Sequence, residues 1–240
     1  MWLWIFATIV AFFIKGLCGF ANTLVFTSIL GFGVNNINIS PVEIILGYPA
    51  NFILTWKNRN GLNAKIWVPL AVIVLTGCIP GALLLKNVNA QYIKIVFGIA
   101  VICIGIEMFC RENGIIKSKG SKIVLMIIGI ASGVLCGLFG VGALLAAYVG
   151  RTTDTTDEFK ANISAVFIVE NTFRIVLYSI LGVITLSSLK QSVLMMPFVL
   201  IGLFLGMKSS QIMDDKVVKR IVIVLLIISG IVLIAKNVTV

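Results

Sequence analysis

The sequence predicts an all-α integral membrane protein of two inverted-topology repeats, each a glycine-broken re-entrant helical hairpin followed by three transmembrane helices. Three observations predict it. Of the 240 residues 60% are hydrophobic and 12% charged, with a mean hydropathy of +1.13; a soluble domain is roughly 45–50% apolar and about 25% charged. Apolar runs of bilayer-spanning length recur along the chain, and two of them are broken by glycine clusters. The two halves also carry the same ordered set of glycines and lysines at a nearly constant offset.

The N-terminal repeat, residues 1–113, opens on the apolar run 2–33, interrupted by GLCGFANTL at 16–24. A lipid-facing helix has little use for two glycines, an asparagine and a threonine there. The start MWLWIF lacks a basic region and is read as mature membrane structure, not a cleaved signal. Helices are expected at 42–56, 66–85 and 92–110. The C-terminal repeat, 114–240, opens on 123–150, interrupted by CGLFGVGALL at 136–145, and continues with helices at 159–181, 191–207 and 217–235.

The repeat rests on two registers. A shift of 121 residues places Gly16, Leu17, Gly19 and Leu24 on Gly137, Leu138, Gly140 and Leu145. A shift of 125 places Lys65, Gly77, Gly81 and Lys94 on Lys190, Gly202, Gly206 and Lys219. The second set holds a GxxxG in each half, GCIPG and GLFLG. Such pairs let helix backbones approach closely in lipid, within the chain or across a homodimer.

Basic residues decide the topology. If every apolar segment spans, the loops carry nine basic residues on one side and eight on the other. If 123–150 dips in and returns, the count becomes thirteen against four, the asymmetry that the positive-inside rule requires. The loops 57–65, 111–122, 151–160 and 208–220 are then cytoplasmic. The repeat extends the same reading to 2–33, whose two limbs of about 14 residues reach about 20 Å, enough to approach the midplane. Each half then crosses the membrane three times, so the second is upside down relative to the first, as in many secondary transporters. Trp56 and Trp67 bracket the loop 57–65, as interfacial tryptophans do.

Two basic residues remain inside the apolar runs, Lys15 and Arg174. Ionised groups in hydrocarbon are costly and are paired or functional. Glu170 and Arg174 stand at (i, i+4) and can meet on one helix face; a self-neutralised structural pair is the plain alternative. For Lys15 the alternative is snorkelling toward an interface. Where a helix restarts in mid-membrane, its first N–H groups have no intrahelical partner and favour an anion. Gly16 and Gly19, with Gly137, Gly140 and Gly142, are therefore candidate anion-facing turns, and tight helix packing is their alternative role. Asn22, Thr23 and Asn171 add neutral hydrogen-bonding groups at similar depth. Glu43 and Glu107 lie nearer the expected segment ends and are set aside.

Composition excludes other classes. The net charge of +10 lies in short loops, with no basic patch interleaved with aromatics, so no nucleic acid is expected. The five cysteines lie in or beside apolar runs without a CxxC and read as small buried apolar residues; neither metal nor cofactor is expected. The chain has no histidine, and its four aspartates fall in loops, which leaves no enzyme site of the zinc, serine or aspartyl intramembrane type.

The two broken segments, GLCGFANTLVF and GVLCGLFGVGALLA, with a length of about 240 residues in two related halves, resemble the TauE/SafE family of sulfite and organosulfonate permeases. Relatives carry a richer Gly-Gly cluster and a proline after each break, where this chain has Ala21-Asn22-Thr23 and Ala143-Leu144-Leu145. The resemblance implies a multi-pass carrier of the cell (inner) membrane that moves a small sulfur-containing anion, sulfite or a short sulfonate. Composition and spacing alone imply a carrier of small anions; a channel or a permease for another small solute is the alternative. In the carrier reading Lys15, Arg174 and the hairpin tips hold the anion, Glu170 takes a proton, and the two halves rock to give alternating access.

Overall fold

Apolar runs with capped ends become helices, and the computed structural model contains no strand among the described residues, which are 1–30, 36–84, 143–238 and isolated positions between 95 and 130. The elements are α1 (Trp2–Cys18), α2 (Asn22–Leu30), α3 (Asn36–Lys57), a single 3-10 turn (Arg59–Gly61), α4 (Ala64–Leu84), α5 (Ala143–Thr152), α6 (Thr156–Ile180), α7 (Leu186–Ile212) and α8 (Asp215–Val238). Of the expected helix 92–110 only isolated helical residues are described; Gly98 there meets the backbone of Gly230 in α8. Most of the second broken segment, including Gly137, Gly140 and Gly142, lies outside the described residues.

Local chemistry sets the ends. The Thr155 hydroxyl accepts from the backbone N–H of Glu158, whose carboxylate accepts from the N–H of Asp154, so α6 opens on reciprocal caps with two acids in its first turn. Thr185 and Ser188 form a capping box at the start of α7. The helix α1 ends at Gly19, which has φ 85° and donates its N–H to the Lys15 carbonyl. Ala21 is also left-handed, at φ 69°. Two positive-φ residues in three reverse the chain, and α2 runs back along α1: the rings of Trp4 and Phe26 meet edge-on at 5.8 Å. The helix α3 begins at Asn36, six residues before the expected boundary at 42, with Pro41 and Pro49 inside it. Each proline gives up one helical hydrogen bond, which a packed helix tolerates.

The helices α6 and α7 are long and apolar enough to cross a bilayer. Their 25 and 27 residues correspond to about 37 and 40 Å, beyond a hydrocarbon core of about 30 Å. Leu200, Ile201, Phe204 and Leu205 of α7 are exposed and present an apolar outer face. Its inner face packs on α1, in parallel: Gly202 lies against the backbone of Ile9, and Gly206 against Phe13 and Leu17. Thus the second GxxxG closes an intramolecular seam and is not a free dimer surface. In contrast, α3 and α6 are antiparallel, tied by Ser40–Tyr178 (3.3 Å) and Tyr48–Thr172 (3.0 Å), and the loop after α3 bonds α6 through the Asn63 N–H and Asn162 Oδ1 (3.0 Å). Cys18 and Cys78 lie buried in a cluster with Leu70, Val74, Leu145 and Phe159, as small apolar residues.

Three loops share one end of the bundle. Asn162 donates to the Gly61 carbonyl at 2.9 Å, and the Lys160 ammonium bonds the Ser210 hydroxyl. This brings 57–65, 151–160 and 208–220 together; the fourth loop of that set, 111–122, lies outside the described residues. In a cysteine-free background, single cysteines at Asn60, Asp157 and Gln211 are therefore expected to react with a membrane-impermeant reagent from one side, and one at Leu181 from the other. Reaction of any of the three together with Leu181 would contradict this arrangement.

Candidate functional site

The turn that ends α1 builds the first half of the site. Lys15 sits one helical turn before Gly19, is 2% exposed, and donates from Nζ to Asn22 Oδ1 at 2.9 Å. Its ammonium also lies 5.3 Å from the centre of the Phe167 ring, within cation–π range. It does not snorkel to an interface. The other end of the Asn22 amide donates to Glu43 Oε1 at 2.6 Å, and the Thr23 hydroxyl donates to the same oxygen at 2.7 Å. The left-handed turn thus places the first residues of α2 so that one amide links a buried cation to a buried carboxylate. Neither charge is left uncompensated, as burial in a low dielectric requires.

The second half comes from α6. The Glu170–Arg174 pair forms as the spacing predicts, Nη1 to Oε1 at 3.5 Å, with both side chains buried. The guanidinium also donates to the Tyr178 hydroxyl at 3.0 Å and to Ser40 Oγ of α3 at 3.3 Å. Arg174 therefore ties α6 to the start of α3, and does so with donors that the acid does not use.

Both halves line one cavity, which is partly open outward. Lys15, Asn22, Thr23, Glu170, Asn171 and Arg174 are all among its walls. Phe20, Ala21 and Leu24 complete the turn side, so the start of α2, whose first N–H groups have no intrahelical partner, borders the space. The cavity also holds two residues that the sequence reading missed. Glu43 is 3% exposed and Asn51 fully buried. Moving the start of α3 back to Asn36 carries Glu43 from the expected membrane edge two turns into the helix. A legible signal existed: Glu43, Gly47 and Asn51 follow at i, i+4 and i+8 and form one helix stripe. A side chain at Gly47 would point at Asn22, Glu43 and Asn171, from 3.5 to 3.7 Å.

The glycines of the first break have other tasks. A Cβ on Gly16 would overlap the Leu203 carbonyl and lie 2.9 Å from the Met207 nitrogen. Gly16 thus belongs to the α1–α7 seam and does not border the cavity. Gly19 supplies the positive φ, and its Cα faces Lys160, one turn into α6. The break accordingly lies toward the 57–65 end of the bundle, past mid-height, and mid-height is held by Lys15 beside Phe167. The residues that reach the cavity are those just after the glycines, from Phe20 to Leu24.

A family model described as sulfite exporter TauE/SafE matches residues 4–233. No curated protein and no solved structure matches the chain. The family is one of membrane transporters, which agrees with the apolar outer faces and the charged groups enclosed within. Since the match takes in every helix that forms the cavity and nearly the whole chain, this protein belongs to the TauE/SafE sulfite exporter family.

Proposed function

We propose that the chain is a secondary transporter that carries a small sulfur-containing anion, sulfite or a short organosulfonate, through the cavity walled by Lys15 and Arg174. The observation that carries this reading is the enclosure of two cations beside the opening turn of α2 within an apolar bundle. An ionised lysine and arginine are costly at such depth; with Glu43 and Glu170 beside them, an anion that enters with a proton finds two cations and a helix N-terminus. The family to which the chain belongs supports sulfur chemistry for that anion.

Charge balance supports proton coupling. Lys15 and Arg174 are offset by Glu43 and Glu170, so the empty cavity is formally neutral. An entering monoanion makes it −1, and a proton on one carboxylate restores neutrality. Glu170, held by one long contact at 3.5 Å, is the freer of the two; Glu43 already accepts two short hydrogen bonds. Anion and proton would then move together. Alternating access by two inverted halves draws support from the opposed courses of α3 and α6, which are equivalent helices in the repeat. The turn of α2 back along α1 supports a re-entrant first hairpin.

Proteoliposomes loaded with sulfite test the reading. Wild-type protein is expected to exchange internal for external sulfite, and an imposed pH gradient to drive net movement. Lys15→Gln keeps length and some hydrogen bonding but removes the charge. A charged hydrogen bond contributes roughly 1.5–3 kcal/mol, so half-saturation is expected to rise by about tenfold or more. Unchanged saturation would remove Lys15 from the binding site. Wild-type exchange of chloride or acetate with no sulfite exchange would favour the permease of another small anion.

A further inference from the structure

Among the fully buried side-chain polar atoms of the cavity walls, three have no hydrogen-bond partner. Asn51 is fully buried, and neither its Nδ2 nor its Oδ1 has a hydrogen-bond partner. Arg174 Nε is buried and equally unpartnered. Both residues line the cavity. The large majority of buried side-chain polar atoms in folded proteins are satisfied. An asparagine amide can donate twice and accept twice, and burying it with none of these bonds made costs a few kcal/mol. Lys15, Asn22, Thr23 and Glu43 show the contrast, since they form a connected chain of hydrogen bonds. Open hydrogen-bonding capacity is therefore found beside Asn51 and Arg174. Gly47, one turn before Asn51 on the same stripe of α3, keeps that stripe free of a side chain between Glu43 and the amide.

We propose that Asn51 is a specificity-determining residue of the transport site, whose amide reads a hydroxyl, amine or acid proton carried by the anion while Arg174 Nε holds one of its oxygens. The inference rests on the anion-transport reading and refines it. Two open donors, Asn51 Nδ2 and Arg174 Nε, call for acceptor oxygens, which any sulfonate or sulfite supplies. The open acceptor, Asn51 Oδ1, calls for a donor, which a bare alkanesulfonate lacks. The preferred ligand is thus an oxyanion that also presents a proton: a protonated oxyanion, or a sulfonate with a hydroxyl or amino group a short distance away. An apolar residue at position 51 would make no such distinction. A site built to bond a ligand hydroxyl discriminates against the analogue without it, because its own buried groups are then left unpaired.

The test compares ethanesulfonate with 2-hydroxyethanesulfonate, which differ by one hydroxyl. Their dissociation constants are measured on purified full-length protein by calorimetry. Wild-type protein is expected to prefer the hydroxylated anion by about tenfold or more, the equivalent of one well-made buried hydrogen bond. Asn51→Leu is nearly isosteric and removes both unpaired atoms of the amide, so it is expected to fold, and the ratio should collapse to within about twofold of unity. Asn51→Ala should do the same and provides a second route should leucine pack badly. A wild-type ratio near one means that the amide meets only water and overturns the proposal without any variant. A preference that survives in both variants overturns it as well. If wild-type protein binds neither sulfonate nor sulfite, the transport reading itself fails and takes the proposal with it. Equal binding of the two sulfonates sinks only the role of Asn51.

Discussion

Gly206→Leu is expected to lose about 3 kcal/mol or more of stability, the upper end of what overpacking a tight interface costs. A Cβ at this position would overlap the Phe13 carbonyl and lie 2.9 Å from the Leu17 nitrogen. Those atoms are backbone, so no rotamer change relieves the clash. The helix α1 must move away from α7, which opens Gly16 against Leu203 and Met207 and Gly202 against Ile9 on the same seam. Because α1 carries Lys15, the displacement reaches the cavity, and transport should fall with stability. Gly47→Ala is the contrast. Its Cβ would meet nothing closer than 3.5 Å, and alanine is a better helix former than glycine by about 1 kcal/mol. Thermal unfolding in detergent, followed by loss of the monodisperse species, should rank Gly206→Leu far below wild type and Gly47→Ala at or above it. Equal melting of Gly206→Leu and wild type would show that α1 and α7 are not packed backbone to backbone.

Arg174→Gln should be the most damaging single change in the cavity. It leaves Glu170 buried without its counter-charge, a loss of about 3–5 kcal/mol when one member of a buried pair is removed. It also removes the donors that Arg174 sends to Tyr178 and Ser40, and so loosens α6 from the start of α3. The cavity becomes formally −1 and should repel the anion. Glu170→Gln combined with Arg174→Gln separates structure from function. With both charges gone, Lys15 still balances Glu43, and stability should return to within about 1–2 kcal/mol of wild type, less the bonds to Tyr178 and Ser40. If the pair only neutralises itself, transport returns with stability. If it handles anion and proton, the double variant is stable, inactive and no longer driven by a pH gradient. Full transport by the double variant would leave Lys15 and the start of α2 as the anion site.

How far the sequence reaches can be judged residue by residue. The helices α4, α6, α7 and α8 overlap the apolar runs 66–85, 159–181, 191–207 and 217–235, with α7 five residues longer at each end, because a bilayer admits few structures other than apolar helices. The (i, i+4) pair of Glu170 and Arg174 was legible for a similar reason: it depends only on the pitch of one helix. The reversal after Gly19 could be read from the polar cluster that follows it. What the sequence left open depends on which way each helix faces. A helix that is apolar nearly all round carries no azimuthal signal. Only the packed bundle turns Gly16 toward α7, and Asn22 and the stripe of Glu43, Gly47 and Asn51 toward Lys15. Depth was open too, since no local rule states how far α1 slides along α7 before Gly19 turns it beside Lys160. The composition of this protein determines that it lies in a membrane and that its few internal charges must be compensated. Which carboxylate meets which cation, and which amide is left with bonds to offer, is set by contacts between residues far apart in the chain, which exist only once the helices have docked.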